Sequence, residues 1–252
     1  MWWTDSLSLK SAPMRKMPAV LVILLSAGAQ AASPRAEIQV ALCEPVAALE
    51  SKLELRPRGP AYETWLFDDD ALALLGRGVR LRLRIKGDGS ELTVKVANQD
   101  CSTLAKDVVP EGEGKCEIDV HGDVAEGAVS LSRALDATST RSLVARKADV
   151  AALLSESQVR LLRDVAKAWP LPTGLKPLGP IANRVYAAKG YDVDVSTLPD
   201  GEAYAEIANK VGVAHVAKER AKLARHLARA NVKACEDQRG QAGVKMKRLL
   251  GN

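Results

Sequence analysis

Basic side chains occupy every second position in the first half of one short segment, residues 78–96. The four that alternate are Arg80, Arg82, Arg84 and Lys86. In a β-strand, alternate side chains lie on the same face, so these four share one face and the aliphatic residues between them share the other. Guanidinium groups form fork-like contacts with phosphate oxygens. The segment therefore predicts either a basic face open to water or one wall of a site for a polyanion.

Other segments also alternate charged and apolar residues. These charged positions include carboxylates, which hold the divalent cations that bridge phosphates. They are Glu50, Lys52 and Glu54 in "LESKLEL", Lys115, Glu117, Asp119 and His121 in "KCEIDVH", Arg184, Lys189, Asp192 and Asp194 in "NRVYAAKGYDVDV", and Glu206 and Lys210 in "YAEIANKV". If the strands form an open sheet, the charged face is solvated. If they curl into a barrel, the charged faces line one cavity.

Motifs for nucleophilic catalysis are absent from the sequence. It contains no GxSxG, no GxxxxGK[ST] and no HExxH. Of the three histidines, His215 and His226 are eleven residues apart on a predicted helix, about 16 Å, which is too far to share one metal. Chemistry based on a serine, cysteine or histidine nucleophile therefore has no support.

The elements that position the charges are mostly strands. "VRLRLRIK" and "ELTVKVA" predict a hairpin about "GDG". Further strands are predicted from Ala48, in "AYETWLF", in "GKCEIDVHGD" and between residues 181 and 212, whereas residues 32–44 are a lead-in with no predicted element. The predicted class is α+β with a largely antiparallel sheet.

Helices are predicted in three places. One covers "DVAEGAVSLSRALD", and one begins after Ser155, where Gln158 completes a capping box. The third, from about Val213 to Cys235, is basic and amphipathic. It carries no interleaved aromatic residue for base stacking, so it predicts a helix packed on the sheet and no nucleic-acid partner. "DDD" at 68–70 predicts a turn and a helix cap.

The N-terminus has the pattern of an export signal. Arg15 and Lys16 precede a short apolar run, and small residues offer a cleavage site after Ala31. We expect residues 1–31 to be removed, which leaves no stable membrane span, with one domain over residues 32–212 and a helical extension over 213–252. The predicted location is periplasmic or secreted. The net charge of +5 is mild and requires no polyanionic polymer as a partner.

The four cysteines favour disulfide bonds in an exported protein. Four cysteines allow three pairings. Cys101 and Cys116 flank a predicted hairpin loop and are the natural local pair, which leaves Cys43 and Cys235 to join the two ends of the domain.

The run "YETWLFDDDALALLGRGVRLRLRIKGDGSELTVKV" resembles the CYTH, or triphosphate tunnel, superfamily. The resemblance implies an eight-stranded antiparallel barrel that binds triphosphate compounds, usually with Mg²⁺ or Mn²⁺. It places Arg82, Arg84 and Lys95 at phosphate-binding positions, and the alternation adds Arg80.

The remaining family motifs are matched in part. The N-terminal ExExK signature aligns with "ALESK", so Glu50 and Lys52 fit and Ala48 replaces the first Glu. A basic-then-acidic strand aligns with "KCEID", a later basic position with Arg184, and a final acidic pair with Glu206 and Ala208. The resemblance thus implies a catalytic set, a ligand-binding set and a set of metal ligands. The catalytic residues are Glu50, Lys52 and Glu117; the ligand-binding residues are Lys52, Arg80, Arg82, Arg84, Lys95, Lys115 and Arg184; and the metal ligands are Glu50, Glu117, Asp119 and Glu206.

Three functions fit these residues. The first is a metal-dependent triphosphate or polyphosphate hydrolase. The second is a catalytically inactive exported module that binds a phosphorylated or polyanionic small ligand in the same tunnel. The third is a structural or interaction module in which the tunnel charges pair with one another. Phosphate binding is better preserved than catalysis, because Ala48 and Ala208 stand where the family has carboxylates.

Overall fold

The computed structural model describes residues 35–87, 89–104, 109, 114–238 and 241–251. The predicted signal segment, residues 1–31, lies outside this part of the chain. Residues 33–252 form one compact unit. Within the described residues, no helix has both the length and the apolar character that crossing a bilayer requires.

Within the described residues, ten strands form one sheet that closes on itself. They are β1 (Arg35–Leu42), β2 (Arg56–Pro57), β3 (Tyr62–Asp68), β4 (Val79–Lys86), β5 (Gly89–Val96), β6 (Gly114–His121), β7 (Val124–Leu135), β8 (Lys176–Ala188), β9 (Tyr191–Thr197) and β10 (Ala203–Gly212). The order is β2-β8-β3-β4-β5-β7-β6-β1-β10-β9, and β8 pairs with β9 to close a barrel of nine strands. The predicted α+β barrel is confirmed. The strand number is nine where eight was expected, and β1 pairs in parallel with β6.

Six α-helices lie around the barrel in the part of the chain that the structure describes. They are α1 (Val46–Leu53), α2 (Ala73–Gly76), α3 (Ala137–Val144), α4 (Glu156–Arg160), α5 (Val216–Arg229) and α6 (Gln241–Leu249). The predicted capping box at the start of α4 is confirmed, because Ser155 accepts from the Gln158 amide and the Gln158 side chain accepts from the Ser155 amide. The predicted role of "DDD" as a cap is also confirmed. Asp68 accepts hydrogen bonds from the amides of Leu74 and Leu75.

Two element predictions are wrong. The segment from Ala48 is helix α1, because Leu49 and Leu53, four residues apart, bury one helical face. Residues 124–135 form strand β7, where an alternating pattern and a close backbone approach override helical propensity. A Cβ on Gly127 would lie 1.8 Å from the Gln99 carbonyl oxygen. The lead-in of residues 32–44 also contains a strand, β1, that was not predicted.

The hydrophobic core lies outside the barrel, between the sheet and the helices. The apolar residues of β4 and β5, among them Leu81, Leu83 and Val94, pack against Leu161 and Leu162 in the segment that continues α4. A second cluster joins α1 and α5 to the sheet through residues such as Leu49, Ile207 and Leu223. Because β4 and β5 turn their apolar faces outward to these helices, their polar faces must point into the barrel.

Two disulfide bonds join Cys43 to Cys235 and Cys101 to Cys116, with Cα–Cα distances of 4.9 and 5.5 Å. The pairing favoured by the sequence is confirmed. The first bond holds the chain that follows α5 against the end of β1, where the Cys235 amide also donates to the Ala41 carbonyl at 2.9 Å. This attachment holds the chain at Cys235, before the last helix, α6, against the end of β1.

Candidate functional site

A polar cavity of about 460 Å³ occupies the inside of the barrel. Strands β1 and β3 to β10 contribute side chains to its wall, and so does helix α6. Its acidic and basic residues are Glu37, Arg80, Arg82, Arg84, Glu91, Lys95, Lys115, Glu117, His121, Asp194, Glu206, Lys210 and Lys245. The charged alternation of the strands therefore lines an enclosed space. It does not form an outer surface.

The basic wall is made by the β4–β5 hairpin. Arg80, Arg82 and Arg84 follow one another along β4, and their partners across β5 are Lys95, Thr93 and Glu91 respectively. Lys86 continues the alternation but lies exposed at the end of β4, with its ammonium 4.9 Å from the centre of the Tyr62 ring. The structure therefore gathers three guanidinium groups and one ammonium on adjacent strands.

Arg82 is a half-buried cation that forms no ion pair within the described residues. Burial, reinforced by the neighbouring charges of Arg84 and Arg80, lowers the pKa of Arg82 to about 9. Within the described part of the chain, the Nε atoms of Arg82 and Arg84 are buried and have no hydrogen-bond partner. Arg84 also lies over the Tyr62 ring, 5.6 Å from its centre. The two guanidinium groups thus keep donors available to a ligand in the cavity.

Lys95 and Arg80 share one carboxylate, Asp119. Asp119 is 4% exposed, forms an ion pair with Lys95, and lies 3.9 Å from an Arg80 nitrogen. Burial lowers the pKa of Lys95, and the Arg80 charge lowers it further. Asp119, predicted as a metal ligand, therefore serves as a partner to two cations of the chain.

Glu117 has two lysine partners at the cavity wall. Its carboxylate lies 2.6 Å from the Lys115 ammonium and 3.0 Å from the Lys210 ammonium. Burial acts to raise the pKa of Glu117, but the hydrogen bonds from these two lysines bring it below its ordinary value. Lys210 also lies 3.6 Å from Glu37, a residue of β1 that the sequence analysis did not single out.

A separate acidic group lies on β9 and β10. Asp194 and Glu206 are directly opposed in the ladder between these strands. Burial raises the pKa of Glu206 to about 7 and also raises the pKa of Asp194. Close to both carboxyl groups is Lys245 of α6, whose ammonium donates to the Ser196 hydroxyl at 2.9 Å. Burial lowers the pKa of Lys245.

Two predicted site residues lie on helix α1, away from the cavity. Lys52 pairs with Glu44 at 2.6 Å and donates to the Asn231 carbonyl at 2.7 Å, while Glu50 accepts a long hydrogen bond from Tyr186. The prediction that both residues line the tunnel is wrong, because the segment that carries them is not a strand. Strand β1 takes the N-terminal place in the barrel, with Glu37 and Gln39 on the cavity wall.

Arg184, expected at a ligand-binding position, does not line the cavity. It is exposed on the outer face of β8, whereas its neighbour Asn183 lines the cavity. The inward set of β8 includes Ile181 and Asn183, and the register between β3 and β8 shifts between Thr64 and Leu66. This shift in register lies just before the paired segment that contains Arg184. A difference of one residue in register turns a side chain to the opposite face of the sheet.

The carboxylates do not assemble a site for Mg²⁺ or Mn²⁺. In the described residues, no three histidine, cysteine, aspartate or glutamate side chains come close enough together to hold one ion. Glu117 and Asp119 lie in ion pairs with lysines, and Lys245 lies beside Glu206 and Asp194. Small divalent cations need several oxygen ligands around one point, and this arrangement does not supply them.

Comparison with known proteins relates the chain to solved structures alone: no protein-family profile and no curated protein sequence matches it. One similar structure is HpAC1 from Hippeastrum, described as a proposed adenylyl cyclase with a dominant triphosphatase activity. It is 14% identical over 84% of this chain and 95% of its own, with a TM-score of 0.57. A proposed adenylate cyclase from Bacillus halodurans is 14% identical over 83% of this chain and 96% of its own, with a TM-score of 0.53. At this identity, the likeness shows the fold.

Proposed function

We propose that this chain, whose fold is that of the CYTH or triphosphate tunnel superfamily, binds a phosphorylated or polyanionic small ligand inside its barrel. The observation that carries the proposal is Arg82. Its guanidinium lies in the cavity, its pKa is lowered to about 9, and its buried Nε has no partner among the described residues. An unpaired buried charge costs several kcal/mol, and an anion in the cavity would offset that cost.

The charge balance along the basic wall supports an anion as ligand. Asp119 compensates Lys95 and lies near Arg80, but Arg82 and Arg84 have no ion pair within the described residues. Arg84 lies opposite Glu91 in the ladder, yet Glu91 accepts its hydrogen bond from Thr93, at 3.2 Å. Two guanidinium groups therefore remain for the ligand, and their fork geometry matches phosphate oxygens.

The neutral groups and the size of the cavity agree with a phosphorylated ligand. The Ser130 hydroxyl lines the wall beside the arginines and offers a further donor, whereas the Thr93 hydroxyl donates to Glu91 and the Ser132 hydroxyl to Thr93. The volume of about 460 Å³ lies within the range of small-molecule sites, about 300–1,000 Å³. The similar protein from Hippeastrum is described as a triphosphatase, which agrees with this ligand class.

The proposed location is outside the cytoplasm. Two disulfide bonds are compatible with an oxidising compartment such as a periplasm. Nucleoside triphosphates are scarce there, so inorganic polyphosphate or another small polyanion is the better candidate. Hydrolysis with Mg²⁺ or Mn²⁺ stays a prediction, and Glu117 is the one predicted catalytic residue that lines the cavity.

The direct test is calorimetric titration of the protein with tripolyphosphate, using the variants Arg82→Met and Arg184→Met. We expect Arg82→Met to weaken binding by at least about tenfold, equivalent to about 1.4 kcal/mol. Arg184→Met removes the same charge from the outer face and should leave affinity unchanged. Absence of binding, or equal loss in both variants, contradicts the proposal. Phosphate release with Mg²⁺ or Mn²⁺, measured on the same samples, tests hydrolysis separately.

A further inference from the structure

Helix α6 brings a lysine into the barrel. Gln241, Ala242 and Lys245 of this helix are part of the cavity wall. The helix is held by Met246, which is 1% exposed and packs with Leu66, Leu178 and Ile181. Lys245 is therefore fixed within the cavity by the packing of its own helix.

Arg248 adds electrostatic anchoring to the same helix. It forms ion pairs with Asp200 at 3.1 Å and Glu202 at 2.8 Å, both in the connection between β9 and β10. The other end of the connecting chain is attached to β1 through Cys235 and Gln238, whose side chain accepts from the Ala41 amide at 2.9 Å. These contacts leave little freedom for Lys245 to withdraw.

Lys245 lies at the acidic part of the cavity. Its ammonium donates to Ser196 on β9, the strand that also carries Asp194, and Asp194 is directly opposed to Glu206 on β10. The charges of Glu206 and Asp194 act on Lys245, and the Lys245 charge acts on each of them. The three side chains belong to one electrostatic group, to which Glu37 and, for Asp194, Arg84 also contribute.

We infer that Lys245 is a built-in counter-cation for Asp194 and Glu206, and that the barrel consequently binds its polyanion without a divalent metal. This inference rests on the proposed function and deepens it. It assigns to a side chain of α6 the positive charge that a metal ion would otherwise bring to these carboxylates.

The donor set around the group explains why a metal does not fit. The residues opposite or beside the acidic pair are small: Ala41 is the β1 partner of Glu206, and Ala208 follows two positions later on the same face of β10. Asp192, the β9 partner of Ala208, forms an ion pair with Arg58. The charge of Glu37 acts on both carboxyl groups, but among the described residues no three carboxylates come close enough together to hold one ion. A divalent cation would therefore find two carboxylates and one ammonium that repels it.

The same pairing recurs around the cavity. Asp119 is paired with Lys95, and Glu117 is paired with Lys115 and Lys210. Lys245 forms no direct ion pair with Asp194 or Glu206, but it lies in the same part of the cavity and its charge acts to lower the pKa of both carboxyl groups. Each of these four carboxylates thus has a lysine of the chain as its ion-pair partner or neighbour, while the buried Nε atoms of Arg82 and Arg84 have no hydrogen-bond partner among the described residues.

The first test needs no substitution. The protein is titrated with Mn²⁺ alone and then with tripolyphosphate in EDTA. We expect no Mn²⁺ binding up to about 1 mM, the weak end of protein sites for hard cations, and tripolyphosphate binding that persists in EDTA. Tripolyphosphate binding that requires Mn²⁺ or Mg²⁺ would overturn the inference while leaving the proposed function intact. No binding with or without metal would refute the proposed function, and the inference with it.

The second test compares Lys245→Met with Lys247→Met, an exposed lysine of the same helix. We expect Lys245→Met to weaken tripolyphosphate binding in EDTA by about tenfold and Mn²⁺ to restore part of it, whereas Lys247→Met binds as the parent protein does. Lys245→Arg keeps the positive charge and should retain tripolyphosphate binding. This variant tests the role of the charge even if Lys245→Met does not fold. Unchanged binding in folded Lys245→Met contradicts the assigned role.

Discussion

Asp119 of β6 and Lys95 of β5 form an ion pair inside the barrel, although strand β7 lies between their strands. The pair reaches across the cavity wall and places one carboxylate against the basic row. Asp119 thereby compensates Lys95 and, at 3.9 Å, acts on Arg80, whereas Arg82 and Arg84 form no ion pair within the described residues. The position of this single carboxylate divides the basic wall into a paired part and a part available to a ligand.

Substituting Asp119→Asn should destabilise the protein and raise its affinity for anions. Removing one partner of a buried pair costs about 3 kcal/mol, because the other charge stays buried. The freed Lys95 and Arg80 then attract an anion more strongly. Urea unfolding with and without tripolyphosphate measures both effects. Asp123→Asn, which removes an exposed partner of Arg220, is the control and should change neither quantity by more than about 0.5 kcal/mol.

Substituting Arg82→Met should stabilise the ligand-free protein. The substitution removes a buried cation that Arg80 and Arg84 repel, and replacing buried charge by an apolar side chain of similar size stabilises by about 1–4 kcal/mol. The measurement is the free energy of unfolding in urea without added anions. A loss of stability would show that Arg82 has a structural partner in the free protein and would contradict its role in ligand binding.

Anion affinity should increase as the pH falls through about 7. Burial raises the pKa of Glu206 to about 7, so protonation in this range removes a negative charge from the cavity. His121 also lines the cavity, but burial lowers its pKa below 6.5, so it titrates at lower pH. Sulfate is the suitable probe, because its charge is constant over this range. Its affinity should be higher at pH 6 than at pH 8 in the parent protein and nearly equal at both in Glu206→Gln.

The same carboxyl group gives a dependence of stability on pH. The ordinary pKa of a glutamate is 4.5, so between pH 4.5 and about 7 the folded state holds a proton that the unfolded state has released. The contribution of Glu206 to stability therefore falls as the pH rises through this window. Unfolding midpoints at pH 5, 6 and 7, compared with those of Glu206→Gln, report this contribution. A contribution that rises with pH would contradict the burial of Glu206 as a neutral acid.

Substituting Lys52→Ala should leave anion binding unchanged. Lys52 lies on α1, where it contacts Glu44 and the Asn231 carbonyl outside the cavity. We expect a stability loss of about 1 kcal/mol or less, as for exposed ion pairs. Lys95→Met, which removes a lysine from the cavity wall, should by contrast weaken tripolyphosphate binding. A marked loss of affinity in Lys52→Ala would mean that the sequence motif, and not the observed wall, defines the site.

The sequence predicted the fold and the basic wall because both depend on local alternation. In the β4–β5 hairpin, strict alternation and a glycine-rich turn fix which side chains share a face, and Arg82, Arg84 and Lys95 lie together as the pattern requires. The residues around Ala48 fit both a strand and a helix. They form a helix because Leu49 and Leu53 are buried against the sheet, which is a tertiary effect.

The remaining site residues could not be predicted from local patterns. Glu37 belongs to the short strand β1. The alternation of polar and apolar residues in "AEIQVA" is the sequence signal that indicates this strand. Arg184 and Asn183 exchange faces through the irregular pairing of β8, which no single-strand pattern reveals. Lys245 reaches the cavity only because the Cys43–Cys235 bond and the burial of Met246 bring α6 back to the barrel.

The most direct test of anion binding inside the barrel is a crystal structure of the protein with tripolyphosphate, grown in EDTA. The account predicts phosphate oxygens within about 2.7–3.2 Å of guanidinium nitrogens of Arg82 and Arg84, with Lys245 still beside Asp194 and Glu206. A tripolyphosphate bound outside the barrel, or a cavity that stays free of it at saturating concentration, would contradict the account.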